Sequence, residues 1–182
     1  MTRRELEHAI RAACDVADDT EIYVFGSQAI LGQYPNAPAE LRQSAEADVA
    51  PKNKPQNADA IDGALGELSS FHATHGFYVH GLAIEAAKLA PGWETRAHTV
   101  RNQNTRDNSG ICLEAHDLAA SKLAAGRPKD RDFVRVLLRE RLVEPHALIA
   151  LIRQLPIAAV DRERWEAWVL ATHEEVADDT VS

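Results

Sequence analysis

The sequence predicts an α+β protein in which a small mixed or antiparallel sheet precedes a helical C-terminal region. Three observations support this class. An amphipathic helical pattern opens the chain, short apolar runs separated by polar turns follow it, and every segment from residue 116 onward has helical periodicity. We therefore expect an α/β core over residues 1–115 and a helical region over residues 116–182, packed together as one compact unit.

The core is predicted to begin with a helix over residues 3–17, because Leu6, Ile10 and Ala13 recur at helical spacing. A second helix is predicted over residues 58–71, although its two glycines weaken the pattern. Short apolar runs bounded by polar turns predict the strands. The predicted strands span residues 22–25, 45–51, 76–84, 96–100 and 109–115.

The helical region contains four predicted segments. The first, HDLAASKLAAG, ends at Gly126, a residue type that favours the left-handed conformation found after a helix, and the second begins at Pro128. PHALIALIRQLP and DRERWEAWVLATHEEV complete the set. Trp165 and Trp168 lie three positions apart in the last segment, so they belong either to the core or to a face that docks a partner chain.

The composition limits the classes of protein. A chain of 182 residues with 45% hydrophobic residues can bury a core of enzyme size. Its two cysteines, Cys14 and Cys112, are too few for a disulfide framework and have no metal-binding spacing, which predicts core thiols in a reducing compartment. The sequence has no signal-peptide pattern, and no apolar run approaches the roughly 20 residues of a membrane span. We therefore expect a cytoplasmic protein without a membrane partner.

Charge is unevenly distributed along the chain. The net charge of −8 argues against general adhesion to nucleic acid. Residues 120–141 nevertheless contain seven basic and three acidic side chains. Within them Arg131, Arg135 and Arg139 recur every four residues, which predicts either a stripe that follows RNA phosphates or a solvated face paired with neighbouring acids.

Gly26 and Ser27 directly follow the first predicted strand. Ser27 can cap a short helix that begins at Gln28, and the backbone N–H groups of such a corner attract anions. Junctions of this kind are common in proteins, so a plain cap without a ligand is the alternative.

Glu46 and Asp48 lie two positions apart on the next predicted strand, so their side chains share one face. Like charges at that separation repel each other unless a cation lies between them, and paired carboxylates with substrate phosphates are typical ligands of Mg²⁺. The alternative is a pair of solvated acids on an edge strand. Val49 and Ala50 continue an apolar stretch, which predicts partial burial and weakens that alternative.

The combination of Gly26-Ser27 with Glu46-x-Asp48 resembles the minimal signature of the DNA polymerase β-like nucleotidyltransferase superfamily. Two features depart from it: the first acid is Glu where Asp is commoner, and the 18 residues between the two motifs exceed the usual spacing. The resemblance implies a small mixed-sheet nucleotidyltransferase core. It also implies that Glu46 and Asp48 hold Mg²⁺ and that the Gly26-Ser27 corner holds the phosphates of an NTP.

HDLAASKLAAGRPKDRDFV, residues 116–134, is similar to the lysine and Lys-Asp region of AbiEii-like and MenT-like bacterial toxins. By this resemblance Lys122 contacts the nucleotide phosphates and Asp130 is its acidic partner. Arg127 directly follows the capping Gly126, and from its position we expect it to reach either phosphate or RNA. An ammonium in an Ala-rich helix is costly to bury without an anion. The alternative is a lysine whose head group reaches solvent from a packed helix.

The widest similarity, over most of residues 22–138, is to a group of small uncharacterised bacterial nucleotidyltransferase-like proteins. It includes GSQAIL, the E-x-D-x-x-P segment, LxPGW at residues 89–93 and SKLxAGRxKDxxF at residues 121–133. In the superfamily a later strand often supplies a third acid, and Glu85 and Glu114 are both candidates.

Three histidines, His72, His75 and His80, occur close together in the sequence. A structural zinc site at these residues is disfavoured, because no cysteine accompanies them and a break in the predicted structure separates them.

Together these patterns predict a Mg²⁺-dependent nucleotidyltransferase that moves a nucleoside monophosphate from an NTP to an acceptor hydroxyl. The resemblance to the toxins implies a tRNA 3′ end as acceptor, a toxin–antitoxin context and a cognate antitoxin protein as partner. Two alternatives stay open. One is a catalytically degenerate member that binds a partner protein or a nucleotide, and the other is an enzyme that modifies a small molecule such as an aminoglycoside.

Overall fold

The computed structural model describes residues 1–179 and divides the chain into two compact units. The first unit comprises Met1–Ala86 and Glu94–Glu114, and the second comprises Ala87–Trp93 and the chain from Ala115 onward. The helices and strands are, in chain order, α1 (Arg3–Ala17), β1 (Glu21–Val24), α2 (Ile30–Gln33), β2 (Glu46–Pro51), α3 (Ala58–Leu65), α4 (Ser70–His75), β3 (Tyr78–Gly81), α5 (Trp93–Arg96), β4 (His98–Val100), β5 (Ser109–Cys112), α6 (Ala115–Ala125), α7 (Pro128–Arg139), α8 (Pro145–Ile152) and α9 (Ala159–Asp179).

The first unit is built on a mixed five-stranded sheet with the strand order β3-β2-β1-β5-β4. β1 pairs antiparallel with β2 and parallel with β5. β2 also pairs parallel with β3, and β4 pairs antiparallel with β5. The α+β class and the mixed sheet predicted from the sequence are therefore confirmed, and β2 has a hydrogen-bonded neighbour at both of its edges.

One face of this sheet packs against α1 and α3. The backbone of Gly110 on β5 lies so close to Ile10 of α1 that an added Cβ would be 2.3 Å from its Cδ1 atom. Gly81 on β3 likewise approaches Ile61 of α3, and Val49 of β2, which pairs with Gly81 and shares its face, is fully buried. Because side chains alternate along a strand, the intervening residues of β2 and β3 point to the opposite face.

The first helix has the bounds that its periodicity predicts. Thr2 accepts a hydrogen bond from the Glu5 amide at 3.2 Å, and the Glu5 carboxylate accepts one from the Thr2 amide at 2.6 Å. This reciprocal pair satisfies two amide groups that have no partner within the helix. Asp18 then adopts a left-handed conformation with φ of 49° and ends the helix.

The prediction of one helix over residues 58–71 is wrong, because the segment contains all of α3 and the start of α4, with a break between the two helices. α3 ends at Gly66, and Leu68 has φ of 65°. A left-handed residue cannot continue a right-handed helix. Ser69 then starts α4 by accepting a hydrogen bond from the His72 amide at 3.1 Å.

Three predicted strands are shorter than expected. The segment over residues 96–100 forms β4 only from His98, because Arg96 is the last residue of α5. Within the segment over residues 76–84, only Tyr78–Gly81 forms a strand, which is β3. Gly76, with φ of 74°, is instead the residue that ends α4. The segment over residues 109–115 ends as β5 at Cys112, and Ala115 already opens α6.

The second unit consists of packed helices. α6 packs against α7 and α8, and α9 packs against the same two helices. As predicted, Gly126 follows α6 with φ of 70°, and its amide donates to the Lys122 carbonyl at 3.0 Å. Trp165 is a core residue with 5% of its surface exposed, and it contacts the half-buried Trp168 edge to face. None of the described helices is long and apolar enough to cross a bilayer.

Candidate functional site

The two acids singled out by the sequence lie on β2, the strand with neighbours at both edges. Ala47 and Val49 are fully buried on the helix-covered face of the sheet. Glu46 and Asp48 alternate with them and therefore share the opposite face, where their side chains are 29% and 23% exposed. The acids are thus fixed on regular backbone and remain accessible to small ions.

His80 of β3 completes a cluster with these acids. β3 runs parallel to β2, and the register pairs His80 with Asp48. Its Nδ1 atom lies 3.1 Å from Oε1 of Glu46 and 3.6 Å from Oδ1 of Asp48. Within the described residues, one ligand atom from each of these three side chains lies within 4.8 Å of the other two, a geometry that can hold a metal ion.

Asp62 of α3 approaches the same histidine from another direction. Its Oδ1 atom lies 3.8 Å from Nε2 of His80, which is beyond hydrogen-bond distance. The two ring nitrogens of His80 therefore face different carboxylates. This orientation gives the imidazole a preferred direction even though its side chain is 39% exposed.

Tyr78 lies two residues before His80 on β3, and its ionisation reflects the acidity of this face. Burial raises the pKa of its hydroxyl, and the negative charges of Glu46, Glu67 and Asp48 raise that pKa further. The ring of His72 contacts the Tyr78 ring at 4.9 Å between centroids. The local field thus favours cations and opposes further negative charge.

Gly26 lies directly against the Asp48 carboxylate. A Cβ added at Gly26 would be 1.8 Å from Oδ2, 2.7 Å from Cγ and 2.9 Å from Cβ of Asp48, so no larger residue fits without a shift. The amide of Phe25 donates to the Asp48 carbonyl at 3.1 Å and holds the two segments together. The structure therefore brings the Gly-Ser motif and the Glu-x-Asp motif into contact.

The expected capping role of Ser27 is wrong. Ser27 is the first residue of a 3₁₀ turn over Ser27–Ala29, and the capping position before that turn is occupied by Gly26, which has no side chain to accept a hydrogen bond from the turn's amides. Gln28 of the same turn is fully buried, and its side-chain amide donates to the Ser44 carbonyl at 3.1 Å. The turn is thereby tied to the loop that leads into β2.

The two candidates for a third acid do not join the cluster within the described residues. Glu85 belongs to a short turn over Ile84–Ala86 that follows β3. Glu114 follows β5, and its charge adds to burial in raising the pKa of Tyr34. The third position of the cluster is instead held by His80.

His80 was not among the predicted site residues, because in the sequence it lies close to two other histidines, His72 and His75, and far from Glu46 and Asp48. In the structure His75 packs against His8 at 4.5 Å between ring centroids, away from the acids, and His72 packs against Tyr78. Because His80 and Tyr78 are two positions apart on a strand, their side chains share one face of the sheet. Only the pairing of β3 with β2, which the sequence does not encode locally, reveals which face that is.

In the second unit Lys122 forms an ion pair with Asp130. The Lys122 ammonium lies 3.1 Å from Oδ1 of Asp130, whose side chain is fully buried, and 4.5 Å from the centre of the Phe133 ring. Arg127 contacts the other carboxylate oxygen at 2.6 Å. Asp130 thus supplies the anion that the burial of Lys122 requires, so burial alone does not indicate a bound phosphate.

Burial raises the pKa of Asp130, but the hydrogen bond from Arg127 and the charge of Lys122 outweigh it. The net result is a pKa below the ordinary value of 3.8. The carboxylate therefore stays ionised in the folded protein at neutral pH.

The arginine stripe on α7 is partly neutralised by acids of the same unit. Arg135 contacts Glu175 at 2.6 Å, and Arg139 contacts Glu140 at 3.0 Å. These contacts favour the solvated, acid-paired face over a continuous phosphate-binding stripe.

Both cysteines are buried, as the sequence predicts for core residues. Burial raises the pKa of Cys14 and of Cys112 to about 12. Neither thiol is therefore ionised at neutral pH, which excludes the thiolate chemistry of a nucleophilic cysteine.

Comparison with known proteins gave no match to a family model, to a curated protein or to a solved structure.

Proposed function

We propose that the chain is a nucleotidyltransferase that binds an NTP with a divalent cation and transfers the nucleoside monophosphate to an acceptor hydroxyl, with release of pyrophosphate. One observation supports this proposal above the others: the backbone of Gly26, just after β1, lies against the Asp48 carboxylate of β2. Two motifs separated by 18 residues in the sequence thus meet beside Glu46.

The residues at this location suit phosphoryl chemistry. A divalent cation, when bound, neutralises charge on the attacking and leaving oxygens of a triphosphate. Glu46 and Asp48 hold that cation, and their backbone is fixed by a neighbouring strand on each side. The Ser27 hydroxyl and the amide groups at the start of its turn bind the phosphates.

The acceptor is proposed from the resemblance of residues 116–134 to AbiEii-like and MenT-like toxins. It favours a tRNA 3′ end as acceptor and a cognate antitoxin as partner protein. The same resemblance assigns Lys122 to the triphosphate, and the position of Arg127 after Gly126 predicts that it reaches phosphate or RNA. Both roles stay predictions beside the observed contacts of these residues with Asp130.

One contact favours a second function. Nδ1 of His80 lies 3.1 Å from Oε1 of Glu46, so the imidazole is itself a hydrogen-bonding partner of the acids in place of a metal ion. A degenerate protein of this kind binds a nucleotide or a partner protein and transfers nothing.

The two functions are separated by a transfer assay. The purified full chain is incubated with each of the four radiolabelled NTPs, Mg²⁺ or Mn²⁺, and total tRNA. We expect label in the RNA, and we expect Asp48→Asn to lower the rate by about 100-fold or more, because a lost cation costs several kcal/mol of transition-state stabilisation.

The control is Asp59→Asn, an identical substitution at an exposed position of α3. It should transfer label like the wild type, and circular dichroism should report the same helix content for all three proteins. Absence of transfer with every NTP, together with retained nucleotide binding, would leave the degenerate protein as the function.

A further inference from the structure

We propose that His80 is the third protein ligand of the cation held by Glu46 and Asp48, and that it makes this site prefer Mn²⁺ or Co²⁺ to Mg²⁺. The inference rests on the proposed function only in that it concerns the same cation, because metal binding can be measured without nucleotide or acceptor.

The distances within the cluster match those between neighbouring ligands of one ion. In a six-coordinate site with bonds of about 2.1 Å, adjacent ligand atoms lie about 3.0 Å apart. Nδ1 of His80 lies 3.1 Å from the Glu46 oxygen and 3.6 Å from the Asp48 oxygen. A single cation can therefore bond to all three side chains after small rotations, without movement of the strands.

The backbone holds these ligands in fixed relative positions. Asp48 and His80 are directly paired residues of two parallel strands. Glu46 lies two residues before Asp48 on the same strand and on the same face. All three side chains are between 23% and 39% exposed, so an ion from solvent can reach them.

Asp62 gives the imidazole a feature common to metal-bound histidines. Such histidines usually direct their second ring nitrogen toward a carboxylate or carbonyl, which orients the ring and strengthens the ligand. Here Nε2 of His80 lies 3.8 Å from the Asp62 carboxylate while Nδ1 faces the two other acids. Asp62 thus lies on the opposite side of the imidazole ring from the two acids of β2.

The chemical nature of the third ligand determines which ion is preferred. Carboxylate oxygens suit Mg²⁺, which binds few nitrogen ligands and gives up its water reluctantly. Imidazole nitrogen adds affinity for transition metals, which increases from Mn²⁺ toward Co²⁺ and beyond. Replacing a third acid by a histidine therefore lowers the relative affinity for Mg²⁺.

The experiment measures metal binding by the full chain in the absence of nucleotide. Co²⁺ is titrated by its visible absorbance, Mn²⁺ by electron paramagnetic resonance, and Mg²⁺ by its competition with Mn²⁺. We expect His80→Ala to weaken Co²⁺ and Mn²⁺ binding by about tenfold or more, since even residues behind a ligand contribute that much. We expect His80→Asp to keep Mg²⁺ binding and to lower the ratio of Mn²⁺ affinity to Mg²⁺ affinity.

His173→Ala is the control, because His173 is exposed on α9 and should not change metal binding. Unchanged or tighter binding in His80→Ala would overturn the inference and identify the imidazole as a counter-ion of the two acids. If His80→Ala does not fold, the inference is tested by the ratio of Mn²⁺ affinity to Mg²⁺ affinity in His80→Asp. A ratio equal to that of the wild type would overturn the inference. Binding of Co²⁺ that depends on His80, in a protein without transferase activity, would reject the proposed function alone.

Discussion

Gly26 is the residue whose identity the structure explains most directly. Its φ of −77° is accessible to any residue, so backbone conformation does not require glycine here. The requirement is spatial, because an added Cβ would lie within 3 Å of three atoms of Asp48. One missing side chain thus sets the position of a candidate metal ligand.

Substitution of this glycine tests that relation. We expect Gly26→Ala to displace the Asp48 side chain, to lower the free energy of unfolding by about 1–3 kcal/mol and to weaken Co²⁺ binding by at least about tenfold. Urea denaturation and the absorbance titration measure the two effects. Gly63→Ala is the matched control, since nothing lies within 4 Å of its added Cβ in α3, and it should stabilise the protein by up to about 1 kcal/mol. Equal behaviour of the two variants would contradict the steric explanation.

At the residue scale, the sequence predicted the two acids and the glycine but not His80, the third member of the cluster. Glu46 and Asp48 could be found because their spacing on a strand is a local property. His80 lies 32 residues beyond Asp48 and reaches it only through strand pairing, which depends on the whole sheet. Periodicity places a residue on a face without identifying the neighbouring strand.

The pair of helices α6 and α7 is organised around one buried carboxylate. Asp130 lies in the first turn of α7, where the partial positive charge of the helix terminus favours an anion. Lys122 of α6 and Arg127, just before α7, contact its two oxygens. The loop between the helices is therefore closed by an electrostatic link as well as by Gly126.

We expect Asp130→Asn to lower the free energy of unfolding by about 3–5 kcal/mol at pH 7, because it leaves the buried Lys122 without its counter-charge. The folded-state pKa of Asp130 lies below its unfolded value of 3.8. Its stabilisation is therefore complete above that value and is lost as the pH falls through the folded pKa. The wild type should lose stability in acid more steeply than the variant, as measured by urea denaturation between pH 7 and pH 3.

Asp132→Asn, an exposed substitution on the same helix, is the control for the Asp130 measurement and should remain within about 0.5 kcal/mol of the wild type. A wild type and an Asp130→Asn variant with the same acid dependence would show that this carboxylate is not the source of the effect.

At the element scale, the helix of residues 3–17 was predicted to its last residue, whereas the helix of residues 58–71 was not. The first helix has both a periodic apolar face and a capping pair in its sequence. The second is interrupted after Leu65 by Gly66 and by Leu68, whose left-handed conformation is not one that the leucine side chain favours. Local sequence therefore defines an element well where its ends carry their own hydrogen-bonding groups.

Across the whole molecule, the acidic net charge and the basic segment of residues 120–141 have opposite implications for RNA. Four of the seven basic residues in that segment contact carboxylates of the chain itself. These residues are Lys122, Arg127, Arg135 and Arg139. The positive charge of each is already offset by an acid, which reduces the gain from contact with a phosphate.

We expect tRNA binding, followed by fluorescence anisotropy, to have a shallow salt dependence. With about three phosphate contacts, the slope of log affinity against log salt concentration is about −2, and with seven it is about −5. Raising KCl from about 50 to about 200 mM should then weaken binding roughly 16-fold and not roughly 1,000-fold. Arg135→Gln should leave the slope unchanged, and a slope near −5 that this substitution reduces would contradict the expectation.

The position of β2 within the sheet lowers the entropic cost of binding an ion at Glu46 and Asp48. Because β2 is bonded to β1 on one side and to β3 on the other, the main chain bearing the acids loses its conformational freedom when the protein folds. Arrival of an ion then immobilises side-chain torsions alone, and the entropic penalty of ordering a loop does not diminish its affinity.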